Sequence, residues 1–445
     1  MEKAVKKRLK VSPGILIILG FAAVILLGTG LLMLPVSSRD GGSAPFGDAL
    51  FTAVSAVCVT GLVVRDTATS WSGFGQAILL LLIQIGGLGV VTVAAAVVML
   101  SGRKISLFAR STMQSAISAP QIGGIVRLTR FVLLGTLIIE LTGALALLPS
   151  FIPTYGAKGI WFSVFHSISA FCNAGFDIMG GTSGQFSSLT AFYNNAAVTV
   201  PIMLLIIIGG IGFLTWNDVV KHRFRLNRYS LQSKAALTVS GLLILIPAVW
   251  FFFIDQRGLP FGERLLTALF QAVTPRTAGF NTIDLNLLSA PSKGVMTGLM
   301  LIGGSPGSTA GGMKTTTFVL LIVNVVAVFR NKDDAELFGR RVQSSTVRTA
   351  GAIFMMYLTL FVSSAAVISL IEGLPIGTCL FETASAIGTV GLTLGITPTL
   401  GTASRCILMF LMFMGRIGGL TFVYAFLSRS GRVNSKLPME NIIVG

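Results

Sequence analysis

Residues 51–62 read FTAVSAVCVTGL, a moderately apolar stretch too short to cross a bilayer, lying between two long apolar runs. Its outline returns as FHSISAFCNAGF at 165–176, FQAVTPRTAGF at 270–280 and FETASAIGTVGL at 381–392. Each copy opens on Phe, carries a hydroxyl residue four positions later (Ser55, Ser169, Thr274, Ser385) and closes on a glycine (Gly61, Gly175, Gly279, Gly391). The third copy is one residue shorter. A fixed repeat is the signature of stacked or radially arranged units, so four copies predict four quasi-equivalent units around one axis.

Composition sets the class. With 53% hydrophobic and 11% charged residues the chain is not a soluble globular protein, which carries about 25% charged residues. It reads as an all-α, multi-pass membrane protein forming one domain over residues 1–445. Cys58, Cys172, Cys379 and Cys406 show no CxxC spacing, which excludes a zinc site or disulfide framework and suggests small buried side chains. The opening MEKAVKKRLK precedes an apolar run at 13–34, longer than the roughly 7–15 residues of a signal-peptide core, so it reads as an uncleaved first membrane helix.

Each short segment is flanked by a leading and a trailing span. The leading spans fall at about 13–34, 131–148, 235–254 and 351–371, the trailing ones at about 75–100, 191–216, 294–329 and 404–427. A second marker recurs in the trailing spans: GGLGVVT from Gly86, GGIGFLTW from Gly209, GGMKTTTF from Gly311 and GGLTFVYA from Gly418. Glycine pairs in membrane helices ordinarily mark close packing. The repeats run over about 13–101, 126–220, 233–330 and 347–430, leaving 431–445 as a tail.

Basic residues cluster at the N-terminus, at Arg103, Lys104, Arg110, Arg127 and Arg130, at 221–234, at 330–348 and at Arg429, Arg432 and Lys436, always between units or at the ends. The positive-inside rule then predicts eight spans with both termini cytoplasmic and the short segments entering from outside. Topology and anionic lipid account for the net charge of +17 without nucleic acid. Four short helices ending at glycine predict a pore lining, because non-helical backbone at bilayer depth must be buried in protein or line an aqueous cavity. Their carboxyl ends favour a cation, and backbone oxygens suit an alkali ion.

The fourfold arrangement with one key glycine per loop, TVGLT at 389–393 most recognisably, resembles the Trk/Ktr/HKT superfamily of potassium transporters. Within it the chain is most similar to the membrane subunits of bacterial Ktr systems, over nearly its whole length. The resemblance implies potassium-binding filter loops at Cys58, Val59, Thr60 and Gly61; Cys172, Asn173, Ala174 and Gly175; Thr277, Ala278 and Gly279; and Thr389, Val390 and Gly391. It also implies sodium activation, a homodimer aided by the tail, and a cytosolic nucleotide-binding regulatory ring docking on the basic loops 103–110, 221–228 and 330–348. A glycine in all four loops favours potassium, a serine in the first being associated with sodium transport in some plant relatives.

The third trailing span has 36 residues, about 54 Å as one helix against a core of about 30 Å, and must break. The break is GGSPGSTAGGMK: Gly303, Gly304, Ser305, Pro306, Gly307, Ser308, Thr309, Ala310, Gly311 and Gly312, with Lys314 at its end. The resemblance makes this segment an intramembrane gate; a kinked packing helix is the alternative. Arg416 resembles the arginine the family places beside the pore below the filter, the alternative being a buried ion pair. Lys314 either acts similarly or snorkels. Glu140 is expected to pack or hydrogen-bond, and Arg276 to turn behind its loop and pair with an acid. Asp48, Glu263 and Glu382 either attract cations or serve as structural carboxylates.

Walker and HExxH motifs are absent, and His166 and His222 are the only histidines, which argues against an enzyme. An alternating-access secondary cation transporter and a less selective sodium/potassium channel remain as alternatives, and a scaffold would leave the four loop ends unexplained.

Overall fold

The computed structural model describes residues 12–101, 105–117, 121, 123–419 and 421. Four apolar helices, Pro13–Leu32, Ile125–Tyr155, Leu231–Ile254 and Ser344–Glu372, are long enough to cross a membrane and form the leading spans. Ser12 and Ser230 cap the first and third, each accepting a backbone N–H three residues on. Pro149, Pro153 and Pro247 lie inside these helices, a placement tolerated where neighbouring groups re-satisfy the backbone. Leu27, Leu137, Ile246 and Leu370 stand exposed on their outer faces, as expected of surfaces that lipid covers.

The short segments form pore helices at Phe46–Val57, Lys158–Phe171, Phe261–Val273 and Ile376–Gly388. The opening aromatics Phe51, Phe165, Phe270 and Phe381 are fully buried, which is why each copy begins with one. The trailing helices close the circle: the first packs on the second pore helix, the second on the third, the third on the fourth, and the fourth on the first. The expected all-α membrane fold with four units around one centre is thus observed, with one departure. A two-residue hairpin, Glu336–Leu337 against Arg340–Arg341, lies between the third and fourth units.

Every trailing span breaks, where the sequence leads one to expect a break only in the third. Gly73–Leu88 and Val90–Met99 meet at 96°, and Ala196–Gly210 and Phe213–His222 at 98°. The hinges are Gly89 (φ 86°) and Gly212 (φ 95°), and Thr402–Ile417 ends at Gly418 (φ 86°), all in a region that glycine enters without steric cost. This corrects the register of the second marker. Gly418 matches Gly89 and Gly212, so the counterpart of Gly86 and Gly209 in the fourth unit is Gly415, and Arg416 stands where the others have Gly87 and Gly210. The third span is split into Ala290–Leu301 and Thr315–Phe329 by the intervening loop.

One carboxylate ties the last unit to the first. Asp48, in the first turn of the first pore helix, accepts from Arg65 Nε at 2.7 Å and from Arg405 Nη1 at 3.1 Å. Asp48 is therefore a structural carboxylate, placed where the helix dipole favours an anion. Cys58, Cys172 and Cys379 are buried, but Cys406 is exposed on the outer face of the fourth trailing helix, contrary to its expected burial. Asp48→Asn is expected to cost about 1 kcal/mol, since a partly exposed charge network loses its only acid, and to lower the melting temperature in detergent. An unshifted melting curve would show that packing alone closes the ring.

Candidate functional site

Where each pore helix ends, the chain makes the same turn four times. Val59, Asn173, Thr277 and Thr389 adopt left-handed backbone with φ of 56°, 58°, 63° and 51°, and Gly61, Gly175, Gly279 and Gly391 follow two residues later with φ of 92°, 68°, 79° and 93°. The intervening Thr60, Ala174, Ala278 and Val390 are fully buried. Two successive turns of this kind reverse the helix exit into a short extended strand.

The hydroxyl residue of each copy explains how the turn is held. Backbone carbonyls of Ser55, Ser169, Thr274 and Ser385 accept from the N–H of Thr60, Ala174, Ala278 and Val390 at 2.8, 2.8, 3.0 and 2.8 Å. Their hydroxyls then bind one step further on. Ser55 and Ser385 accept the N–H of Gly61 and Gly391 at 3.1 and 3.0 Å, whereas Ser169 and Thr274 donate to the carbonyls of Phe176 and Phe280 at 2.7 and 2.6 Å. A hydroxyl is suited to both roles because it donates and accepts.

The four glycines form a closed ring. A Cβ added at Gly61 would lie 2.5 Å from the carbonyl oxygen of Ala174, and one at Gly175 would lie 2.7 Å from that of Ala278. At Gly279 it would strike the carbonyl of Val390, and at Gly391 that of Thr60, returning to the first loop. No backbone N–H of a described residue donates to any of these four oxygens. The hydroxyls of Thr60, Thr277 and Thr389 are likewise buried without a partner. Buried carbonyls are rarely left unpaired, and oxygens gathered in a ring are the kind of donor that suits a hard cation.

Cavities open on both sides of the ring. One, of about 60 Å³, is lined by all four glycines together with Asp66, Asp177, Asn281 and Thr393. The other, of about 120 Å³, is lined by Gly87, Ser308, Ala310, Lys314 and Arg416 among others. The 303–312 loop sits at this second cavity, folded on itself by Gly303 N–H to Met313 O (2.8 Å) and Thr315 N–H to Gly304 O (3.1 Å). Gly311 abuts the side chain of Thr389, and Gly312 the backbone of Gly388, so the loop lies directly under the fourth turn. Arg416 donates to the carbonyls of Thr309, Gly86 and Gly87, and Lys314 Nζ to Ala310 O at 2.7 Å. Neither cation has a carboxylate partner among the described residues.

Arg276 also differs from expectation. It lies behind its loop, but Nη2 donates to Ser240 Oγ at 2.9 Å and Nη1 finds no partner; a hydroxyl, not an acid, receives it. Glu140 is buried behind the second turn, accepting from Gln84 Nε2 at 3.1 Å. Glu382 accepts from Thr393 Oγ1 at 2.9 Å and from Thr397, and is therefore structural. Glu263 lies in the first turn of the third pore helix, where the dipole favours it. Asp66 and Asp177, beside the glycines, escaped the sequence reading; they follow their copies by four residues and one residue respectively, just outside the repeated window.

A family model described as TrkH, cation transport protein, matches residues 12–436. A potassium/sodium uptake protein, NtpJ, of Enterococcus hirae is 41% identical, covering 100% of this chain and 99% of its own. Ktr system potassium uptake protein B of Bacillus subtilis is 39% identical over 99% of this chain and 98% of its own. In fold the chain is similar to the crystal structure of the potassium transporter TrkH from Vibrio parahaemolyticus, at a TM-score of 0.73, 18% identity and coverage of 96% and 86% of the two chains.

Ser55→Ala and Ser385→Ala each remove the acceptor of a glycine N–H buried in the ring. Each is expected to weaken half-saturating cation concentration in uptake several-fold, consistent with about 1 kcal/mol for one buried hydrogen bond. Wild-type kinetics in both variants would show that the carbonyl ties suffice.

Proposed function

The chain belongs to the TrkH family of cation transport proteins, and on that premise we propose that it takes up potassium across the plasma membrane through a channel-like pore. The observation that carries the reading is the closed ring in which each glycine lies against the next loop's unpaired carbonyl. Residues 1–445 form one ion-conducting domain in this proposal, with repeats at about 13–101, 126–220, 233–330 and 347–430. Basic residues between repeats orient it with both termini in the cytoplasm and the pore helices entering from outside.

An ion then enters the cavity beside Asp66 and Asp177, whose carboxylates raise local cation concentration. It exchanges hydration water for backbone oxygens supplied by Cys58, Val59, Thr60 and Gly61, Cys172, Asn173, Ala174 and Gly175, Thr277, Ala278 and Gly279, and Thr389, Val390 and Gly391. Below them, Gly303, Gly304, Ser305, Pro306, Gly307, Ser308, Thr309, Ala310, Gly311 and Gly312 form the gate. The positive charges of Lys314 and Arg416 beside it oppose passage while it is closed. The helix Leu107–Ile117 gives the cytosolic side a route to this gate, since a Cβ at Gly307 would meet the Ile117 carbonyl at 2.6 Å. Kinship to Ktr systems extends the proposal to sodium activation, a homodimer and a nucleotide-binding regulatory ring acting from that side.

A less selective sodium/potassium pore is the second reading, favoured by the name of the Enterococcus hirae relative. Four units following one another in the same sense around a ring support a central pore over alternating access, whose repeats are commonly inverted.

Potassium and sodium uptake in a potassium-uptake-deficient bacterium tests both parts. Gly391→Ser, whose Cβ meets the Thr60 carbonyl, is expected to lose potassium preference while the protein still reaches the membrane; unchanged preference would move the filter elsewhere. Shortening 303–312 is expected to raise flux, and unchanged flux at normal abundance would remove the loop as gate.

A further inference from the structure

The four ring turns are alike in backbone but not in what they offer the loop beneath them. Their left-handed positions carry Val59, Asn173, Thr277 and Thr389, and only Asn173 has a side chain with both a strong donor pair and a separate acceptor. That side chain, fully buried, joins three parts of the molecule. Its Nδ2 donates to the carbonyl of Arg276, immediately before the third turn, at 3.2 Å, and more weakly to Ile206 O at 3.4 Å. Its Oδ1 accepts from Thr309 Oγ1 of the 303–312 loop at 2.9 Å. The same hydroxyl lies 3.1 Å from the carbonyl of Phe171, the last residue of the second pore helix. Space for this junction is made by Gly209, where a Cβ would lie 2.7 Å from Asn173 Oδ1 and 2.8 Å from Thr309 Oγ1. No described counterpart links the loop by a side-chain pair to the first or third turn.

We propose that the Thr309–Asn173 hydrogen bond couples the gate to the filter, so that seating of the loop sets the spacing of the second and third turns and with it the preference for potassium over sodium. This rests on the reading of 303–312 as a gate. When the loop leaves, Asn173 Oδ1 loses the one protein donor it has among the described residues. An amide so left reorients or takes water in its place, and its grip on the Arg276 carbonyl loosens. Coupling is reciprocal: ions bound at the ring favour the seated loop as much as the seated loop favours them. Asn173 and Thr309 are in this sense positioning residues, acting on the ring through the backbone of its second and third turns.

The test uses the full chain purified in detergent, where the loop is seated, with the preference read as the ratio of potassium to sodium binding affinities from the rise each ion gives in melting temperature, and with total flux read separately in the same potassium-uptake-deficient bacterium and corrected for protein in the membrane. Thr309→Val keeps the shape and removes the donor. It is expected to lower the potassium-to-sodium preference by up to about tenfold, the scale of one buried hydrogen bond, and Thr309→Ser is expected to restore it. If the valine variant does not accumulate, Thr309→Ala is read in its place with the same expectation. A preference equal to that of the unaltered chain in the donor-less variant, whatever happens to total flux, overturns the coupling. The chain shortened within 303–312 separates the two failures. Raised flux in that chain with an unaltered preference in Thr309→Val leaves the gate standing and removes the coupling; unaltered flux in the shortened chain overturns gate and coupling together.

Discussion

Inside the hydrocarbon core a backbone carbonyl without a partner costs several kcal/mol, and a helix that stops there exposes its last four. Three trailing helices of this protein stop at a glycine in the middle of their spans. Their orphan carbonyls are taken up by the third unit's loop and by one arginine. Ser305 and Thr309 N–H donate to Gly210 and Gly209, Gly312 N–H donates to Gly415, and Arg416 donates to Gly86 and Gly87. The loop fills the centre because that is where three helix ends need donors. Its five glycines and three hydroxyl residues are the composition that lets one short segment reach two of those ends, while the arginine serves the first.

This divides the molecule into a symmetric half and an asymmetric one. Around the ring, four turns obey one design, a buried aromatic, a hydroxyl tie and a glycine against the next carbonyl, and no unit can be altered without meeting its neighbour. Below the ring the units differ. The first and second contribute hinged helix ends, the third a loop, and the fourth an arginine where the others carry a second glycine. A guanidinium with five donors in a fixed fork is suited to capping two helix carbonyls and the loop at once. The symmetry suits a spherical ion, as the proposed filter requires, and the asymmetry leaves one segment unlike the rest, as the proposed gate requires.

Much of this was legible in the letters because the repeat is fixed by contacts within each copy. Phe51 and its three counterparts, the hydroxyls and the glycines each satisfy a requirement inside their own unit, so the same residue types recur at the same spacing. The extra length of the third trailing span likewise forced a break. What was not legible depends on contacts between residues far apart in the chain, most of them in different units. Gly418 looks like Gly86 as a letter, but only the helix end it terminates shows that it corresponds to Gly89. Arg276 next to a cation ring called for an acid on electrostatic grounds, yet the residue that reaches it is Ser240, 36 positions away. Asn173 gave no hint of its junction, because Thr309 lies 136 residues on in a different unit.

The placement of the two cations follows from the same need for donors. Lys314 and Arg416 are held by carbonyls of the loop and of the helix ends, and by no carboxylate among the described residues. Desolvating them would be prohibitive in a sealed apolar site, but they border a polar cavity of about 120 Å³. Displacing the loop withdraws the Thr309 carbonyl from Arg416 and carries Lys314 along with its own backbone partners. Arg416, on its helix, keeps the carbonyls of Gly86 and Gly87, so under the proposed gating only the charge of Lys314 would travel with the loop.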